Sequence, residues 1–509
     1  MLKRLLSSGL LAMWVASVAV VTPGCAGEEG SDSSVPPDED LRPVSTLSQD
    51  ERAFFLRRTH FCVRPSELAQ LNALGYEDYL DWMLSMPSTA ALETAGKSAM
   101  IADVNFPGSH EIVQYWTYLM VNSSNPFQEM LALFWHDHFA ASTDALVGDN
   151  NWWAYSHMDL WRKETTGSLN SLLYKMSTDW LMLAWLNGIE STKTAPNENF
   201  AREFWELFTL GADNGYTQAD IQECARSFTG DRSVFQADYF GAGLDSRVIQ
   251  WDSNRHDNTS KAVFGQTVNG NGQAEYQDIV NLTLGQRGTQ VATFICRKLW
   301  EYFCYLNPSS DLLSNLASGL IASSWDLKAL YKRIFMSKAF FSSRNRDGLI
   351  KSPLHYHIGY MRNTGLLMGW QRVRYSLEAC GQVPSRPPTV NGWPVEMSWL
   401  SSQGVIERAN FIRDLNNYQS EQPGYDVGNS IIPAGQTGDA AVVDYLCWLM
   451  QVTLEPAQRT RCIDYLNNDY NGSSVKFAQP WDFSDATQRN KKIRGLLYIL
   501  SQHPSYQVR

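Results

Sequence analysis

Several catalytic signatures are missing from this 509-residue chain. There is no Gly-x-Ser-x-Gly elbow, no Walker phosphate loop and no Gly-x-Gly-x-x-Gly fingerprint, which removes the elbow-serine, P-loop and Rossmann readings. No Cys-x-x-Cys pair occurs, so zinc ribbons and c-type haem attachment have no support. The zincin spacing His-Glu-x-x-His and the Glu-x-x-His of di-iron bundles are absent too. Positive charge is scarce: 42 Lys and Arg face 53 Asp and Glu, a net of −11, whereas nucleic-acid recognition needs a basic footprint. Eight cysteines are too few for a disulfide framework in a chain of this length. Beyond residue 21 no apolar run is long enough to cross a bilayer.

What the chain does carry begins with an export signal. Lys3 and Arg4 precede the apolar run 5–21, which Thr22-Pro23-Gly24-Cys25 ends: a charged n-region, an apolar h-region and a small-residue exit. Residues 1–24 are therefore expected to be a signal peptide and Cys25 a bacterial lipidation site, although Thr22 and Pro23 depart from the commonest lipobox. The expected location is the cell envelope, with the membrane engaged through a lipid anchor rather than a spanning helix. Residues 25–47 read as the lipidated cysteine and a disordered tether, because the Gly, Glu, Ser, Asp and Pro of 26–44 bury too little apolar surface to offset their ordering entropy. Export permits disulfides. The expected pair is Cys447 with Cys462, at similar heights on two antiparallel helices joined at 453–455.

From residue 48 to 509 the pattern is that of one large, mainly α domain. Ser48-Gln49-Asp50-Glu51 reads as a capping box opening a helix. Helices are expected over 65–74 and 76–84, with Gly75 between them, and over 110–121. Asn125-Pro126 reads as an N-cap with proline in the first turn, leading into the apolar helix that carries His136, Asp137 and His138. Ser323-x-x-Asp326 resembles another cap. Residues 231–265 interrupt the helical pattern with glycines and β-branched residues, an irregular or β excursion. With 18 Trp, 22 Tyr and 22 Phe, the core is expected to be aromatic, with an aromatic-lined groove as the functional alternative.

The most charged helical stretch is 197–211. Projected at about 100° per residue, Phe200, Phe204, Leu207 and Phe208 share one face, Trp205 lies toward the other side, and Asn199, Arg202, Glu203 and Glu206 form a polar stripe between apolar flanks. Buried carboxylates must be paired or ligate a metal. Arg202, Arg57, Arg58, Arg162 or Arg226 could neutralise Glu203 and Glu206 in a packing network; alternatively the two acids, one turn apart, serve a metal or proton transfer. Glu203, Glu206 and His136 are accordingly the candidate catalytic groups, and Arg202, Asn199 and Trp205 the candidate substrate contacts. His138, His256 and Asp257 are the candidate ligands of a divalent metal. Positions 136 and 138 point to nearly opposite sides of a helix, so a buried, hydrogen-bonded histidine competes with the ligand reading at each.

At these residues the chain resembles the bacterial domain of unknown function family 1800. The resemblance rests on Leu56-Arg57-Arg58, Phe134-Trp135-His136-Asp137-His138-Phe139, Asn197-Glu198-Asn199-Phe200-Ala201-Arg202-Glu203, Glu206-Leu207-Phe208-Thr209-Leu210-Gly211, His256-Asp257 and Asn391-Gly392-Trp393-Pro394. Trp205 and Asp231 depart from the family's usual residues there. The resemblance implies an exported, mostly helical protein with a secreted partner protein, and it carries no catalytic role. Two functions stay open: a metal-assisted hydrolase acting on an envelope polymer or polysaccharide, and a non-catalytic envelope lipoprotein holding a glycan or protein partner.

Overall fold

The Ser48 hydroxyl accepts the Glu51 N–H, and the Glu51 carboxylate accepts the Ser48 N–H at 2.8 Å, so the capping box forms and Gln49–Thr59 follows it. The computed structural model describes residues 36–509 apart from 106, 147–150, 242–243, 347, 418–421 and 471–475. The expected signal peptide, Cys25 and the tether up to residue 35 lie outside the described residues. Helices Pro65–Leu74 and Tyr76–Leu84 meet at Gly75, whose φ of 80° is the left-handed conformation glycine tolerates. Pro126 opens Pro126–His138 as expected, but Asn125 does not cap it. Its side-chain amide donates instead to the Met83 carbonyl at 2.8 Å, tying two helices together. Ser323 likewise yields to Asp326, which accepts the N–H groups of Lys328 and Ala329 ahead of Leu327–Met336.

The described residues are mainly helical, and the strands form three separate two-stranded antiparallel hairpins. Asp231–Gly241 pairs with Leu244–Trp251, and Lys261–Val263 with Gln266–Val268. These are the excursion expected at 231–265. The third, Asn468–Tyr470 with Lys476–Ala478, follows the Pro456–Leu466 helix.

One continuous apolar core runs from Leu47 to Tyr506. Most tryptophans serve it: Trp116, Trp135, Trp161, Trp205 and Trp300 are fully buried. Two helices lie at its centre. All residues of Pro126–His138 except Asp137 are buried, as is every residue of Pro353–Thr364. Arg162 enters the core to bond Glu129 through Nε and Nη2 at 2.9–3.0 Å and reaches Glu93 at 2.8 Å. This satisfies a fully buried carboxylate that would otherwise be strongly unfavourable.

Residues 36–47 of the segment expected to act as tether are docked on the rest of the chain. Tyr305 donates to the Asp38 carbonyl at 2.6 Å, Arg344 pairs with Asp38 at 3.0 Å, and the Arg42 and Asp40 carbonyls accept N–H bonds from Lys338 and Ala339. Cys447 and Cys462, expected as a disulfide, are both free thiols. They stand on the adjoining helices Asp439–Met450 and Pro456–Leu466, and burial foremost raises both, to about 12 and about 11. Among the described residues no helix is long and apolar enough to cross a membrane.

Candidate functional site

The C-terminal end of Pro126–His138 and the N-terminal end of Pro353–Thr364 open on the same cleft, of about 240 Å³. Asp137 and His138 come from the first helix, and Ser352 and His355 from the start of the second. Phe134, Tyr302, Trp393 and Trp399 supply aromatic walls, while Lys298, Glu301, Glu396 and Arg509 add charge. A broader depression of about 760 Å³ lies at Asp439, Trp481 and Arg489. Its charged groups are already engaged, Arg489 with Asp426 at 2.5 Å and Asp439 with Asn467 at 2.6 Å, so the smaller cleft offers more unspent chemistry.

Asp137 is the exceptional group. A carboxylate in the last turn of a helix faces the negative end of the helix dipole, and Asp137 also sits deep among protein atoms while keeping an opening to the cleft. Burial raises its pKa to about 6, against the opposing effects of the Trp393 N–H and Lys298. Oδ1 accepts that N–H at 2.8 Å, and no bond among the described residues engages Oδ2. The loop Asn391-Gly392-Trp393-Pro394 lies directly over the carboxyl. At Gly392 φ is +79°, and an added Cβ would overlap Asp137 Oδ1 and lie 2.6 Å from the Asp137 carbonyl oxygen; only glycine permits this approach. His138 donates through Nε2 to the Phe208 carbonyl at 3.0 Å, and burial with Lys298 nearby lowers it to about 3. It is a neutral wall of the site.

His136 faces away from the cleft, as the spacing of two along a helix requires. Its Nε2 accepts the Ser385 N–H at 3.1 Å, Nδ1 meets His157 Nε2 at 3.3 Å, and His157 Nδ1 meets Asp179 at 2.7 Å. Every ring nitrogen in this buried chain has a partner with both histidines neutral. His136 thus positions the 385 loop through backbone contact.

The stripe on Glu198–Glu206 lies elsewhere. Asn199 is exposed, and Arg202, Glu203 and Glu206 are half-buried. Arg202 bonds Gln218 at 2.9 Å and lies 3.8 Å from Glu198. The arginines weighed from the sequence engage other groups: Arg162 takes Glu129, Arg226 takes Glu223 and Asp257, and Arg58 donates to the Asn345 carbonyl. Burial, and then Glu206, raise the Glu203 pKa, while Arg202 lowers it. Trp205 is core, donating to Thr283 at 3.1 Å and packing on Tyr216 and Phe264. Of this segment, Leu207 alone lines the cleft.

The proposed metal ligands are dispersed among different partners. His256 meets Glu275 at 2.9 Å in a fully buried network with Lys261, Asp257 pairs with Arg226 at 2.7 Å, and His138 holds Phe208. Among the described residues no group of three His, Cys, Asp or Glu side chains is arranged to hold a metal. The residues that sequence reasoning passed over are Asp137, Ser352, Glu396 and Arg509. Asp137 could have been found, since an acid in the last turn of an otherwise apolar helix opposes both burial and the dipole. The others belong to separate segments that only the fold unites.

The fold and cleft define a mainly helical protein whose site draws on three family-like stretches, at 134–138, 207 and 391–394, together with residues from 298–306, 350–355 and 509. A family model described as "Protein of unknown function (DUF1800)" matches residues 54–508, and the chain belongs to that family. Neither the curated proteins nor the solved structures contain a significant match.

Proposed function

We propose that this chain is an exported, lipid-anchored hydrolase of the cell envelope, and that the cleft at Asp137 binds and cleaves an envelope polysaccharide. The observation that carries this reading is Asp137 itself: a carboxyl with a pKa of about 6, one oxygen fixed by Trp393 and the other unengaged in an open cleft. A carboxyl near neutral pKa is suited to donating a proton to a leaving oxygen. Paired carboxyls, one acid and one base or nucleophile, are the general apparatus of glycosidic bond hydrolysis. Besides Asp137 the cleft is lined by two further carboxyls, Glu301 and Glu396, and Glu396 is the one proposed as partner. Its Oε2 accepts the Ile350 N–H at 3.0 Å, and its backbone adopts a φ of +54°, unusual for a non-glycine residue. Trp393, Trp399 and Tyr302 offer flat apolar surfaces for sugar rings.

The proposed chemistry moves from Glu203 and Glu206, which lie outside the cleft, to Asp137 and Glu396. The test is release of reducing ends from a panel of envelope polysaccharides by the purified chain. Asp137→Asn should retain polymer binding and lose at least about 100-fold in turnover. Retention of polymer without bond cleavage by the unaltered chain would return the cleft to the non-catalytic binding role. The anchor at Cys25 has its own check: Cys25→Ala should shift the chain from the membrane to the soluble fraction. A secreted protein partner is best sought by crosslinking from that anchored state.

A further inference from the structure

The charges behind the cleft are unbalanced. Arg58, Lys351, Arg408 and Arg509 are all buried, and among the described residues none has a carboxylate within ion-pair distance. Arg58 donates to the Asn345 carbonyl, Arg408 to the Lys351 carbonyl at 2.7 Å and the Gln507 side chain at 2.9 Å, and Arg509 to the Tyr302 carbonyl at 2.7 Å. Lys351 lies 3.6 Å from the Tyr506 ring centroid. Neutral acceptors and the ring faces of Phe54, Tyr506, Tyr356 and Tyr302 thus surround these four side chains, and among the described residues the Nε atoms of Arg58, Arg408 and Arg509 have no partner. Burial lowers the Lys351 amine well below its ordinary value, so the three guanidiniums carry the uncompensated charge. Buried cations are strongly unfavourable unless an anion compensates them. The Glu396 carboxylate acts on both Arg58 and Arg509, without pairing with either.

The hydrogen bonds show where an anion would sit. Arg509 lines the cleft and can only donate, so His355 Nε2, 2.9 Å from Arg509 Nη1, must accept and the proton lies on Nδ1. Nδ1–H then donates to Ser352 Oγ at 2.8 Å, which also receives the His355 N–H at 3.4 Å. With its acceptor sites taken, the Ser352 hydroxyl keeps its own hydrogen, for which no acceptor exists among the described residues. Ser352 lines the same cleft and caps a twelve-residue buried helix, whose positive dipole end adds to the local potential. We infer that the Arg509–Ser352 end of the cleft is an oxyanion subsite, binding a carboxylate or sulfate borne by the glycan. The ligand class is therefore an acidic polysaccharide, presented to Asp137 by its charged substituent. This rests on the reading of the cleft as a glycan site.

The test uses the complete mature chain and three oligosaccharides of equal length: neutral, uronic-acid-containing and sulfated, with affinities from calorimetry. An acidic oligosaccharide should bind at least tenfold more tightly than the neutral one, and that preference should fall as salt rises. The carboxylate and sulfate arms identify which oxyanion fits. Arg509→Gln and Ser352→Ala should each remove most of the preference, whereas Arg509→Lys should retain part of it. Equal affinity for neutral and acidic ligands would overturn the subsite, and so would a preference that survives both Arg509→Gln and Ser352→Ala. If a variant fails to fold, the salt dependence and the acidic-to-neutral ratio of the unaltered chain decide the matter. Tight acidic binding without hydrolysis supports the subsite while removing the hydrolase reading, and hydrolysis without acidic preference does the reverse.

Discussion

Once ionised, the Asp137 carboxylate works against the stability of the fold, because burial disfavours its charge. Its pKa rises from the ordinary 3.8 to about 6 on folding, so the folded chain binds the proton more tightly than the unfolded one. That contribution is fully present below about pH 4 and is lost as pH rises through about 6. Asp137→Asn should therefore melt higher than the unaltered chain at pH 8, by on the order of 2 kcal/mol after discounting for the opening to solvent, with little difference at pH 4. Urea titrations at the two pH values measure this directly. A proton donor at this position should also make hydrolysis decline as pH rises through about 6, a dependence absent in Asp137→Asn. Glu203 and Glu206 predict the contrary outcome. They are half-buried like charges one turn apart, and burial and Glu206 both raise Glu203. Glu203→Gln should leave stability unchanged or improve it by a few tenths of a kcal/mol, with turnover intact.

At the scale of the element, the site depends on a helix end and the loop laid across it. Gly392→Ala places a Cβ into Asp137 from a left-handed backbone. The expected result is a loss of about 2 kcal/mol or more, together with loss of ligand binding as the loop lifts away; thermal melting and the calorimetric assay report the two effects separately. Deeper in the same helix, Arg162→Met leaves Glu129 buried without its cation and should cost roughly 3–5 kcal/mol. These elements were legible in the sequence to different degrees. Capping boxes and apolar spacing located the helices from 49 onward, since those signals are local. Asn125 misled because its amide found the Met83 carbonyl across the core, a tertiary bond that no local rule contains. The polar stripe on Glu198–Glu206 was visible as a pattern. Its half-exposure was not, because neighbouring helices decide which flank of a helix is covered. The cleft gathers residues from 133–138, 207, 298–306, 350–355, 382–399 and 509, and no spacing rule spans such separations.

Across the whole molecule, residues 36–47 dock on the helical body. Residues 36–47 contribute the Asp38 contacts to Tyr305 and Arg344, the Asp40 and Arg42 carbonyl bonds, and buried Leu47. A chain beginning at residue 48 should be less stable than one beginning at residue 36 by on the order of 2 kcal/mol, read as a lower urea midpoint. The same docking sets a length. With the proposed lipid on Cys25, eleven residue steps separate the anchor from Pro36, a span of at most about 40 Å when fully extended. A free tether reaching to residue 47 would allow roughly twice that distance. On the proposed reading the chain would then work as a grazing animal on a short leash, confined to a thin layer next to the bilayer. Polymer strands further out in the envelope would have to come to it.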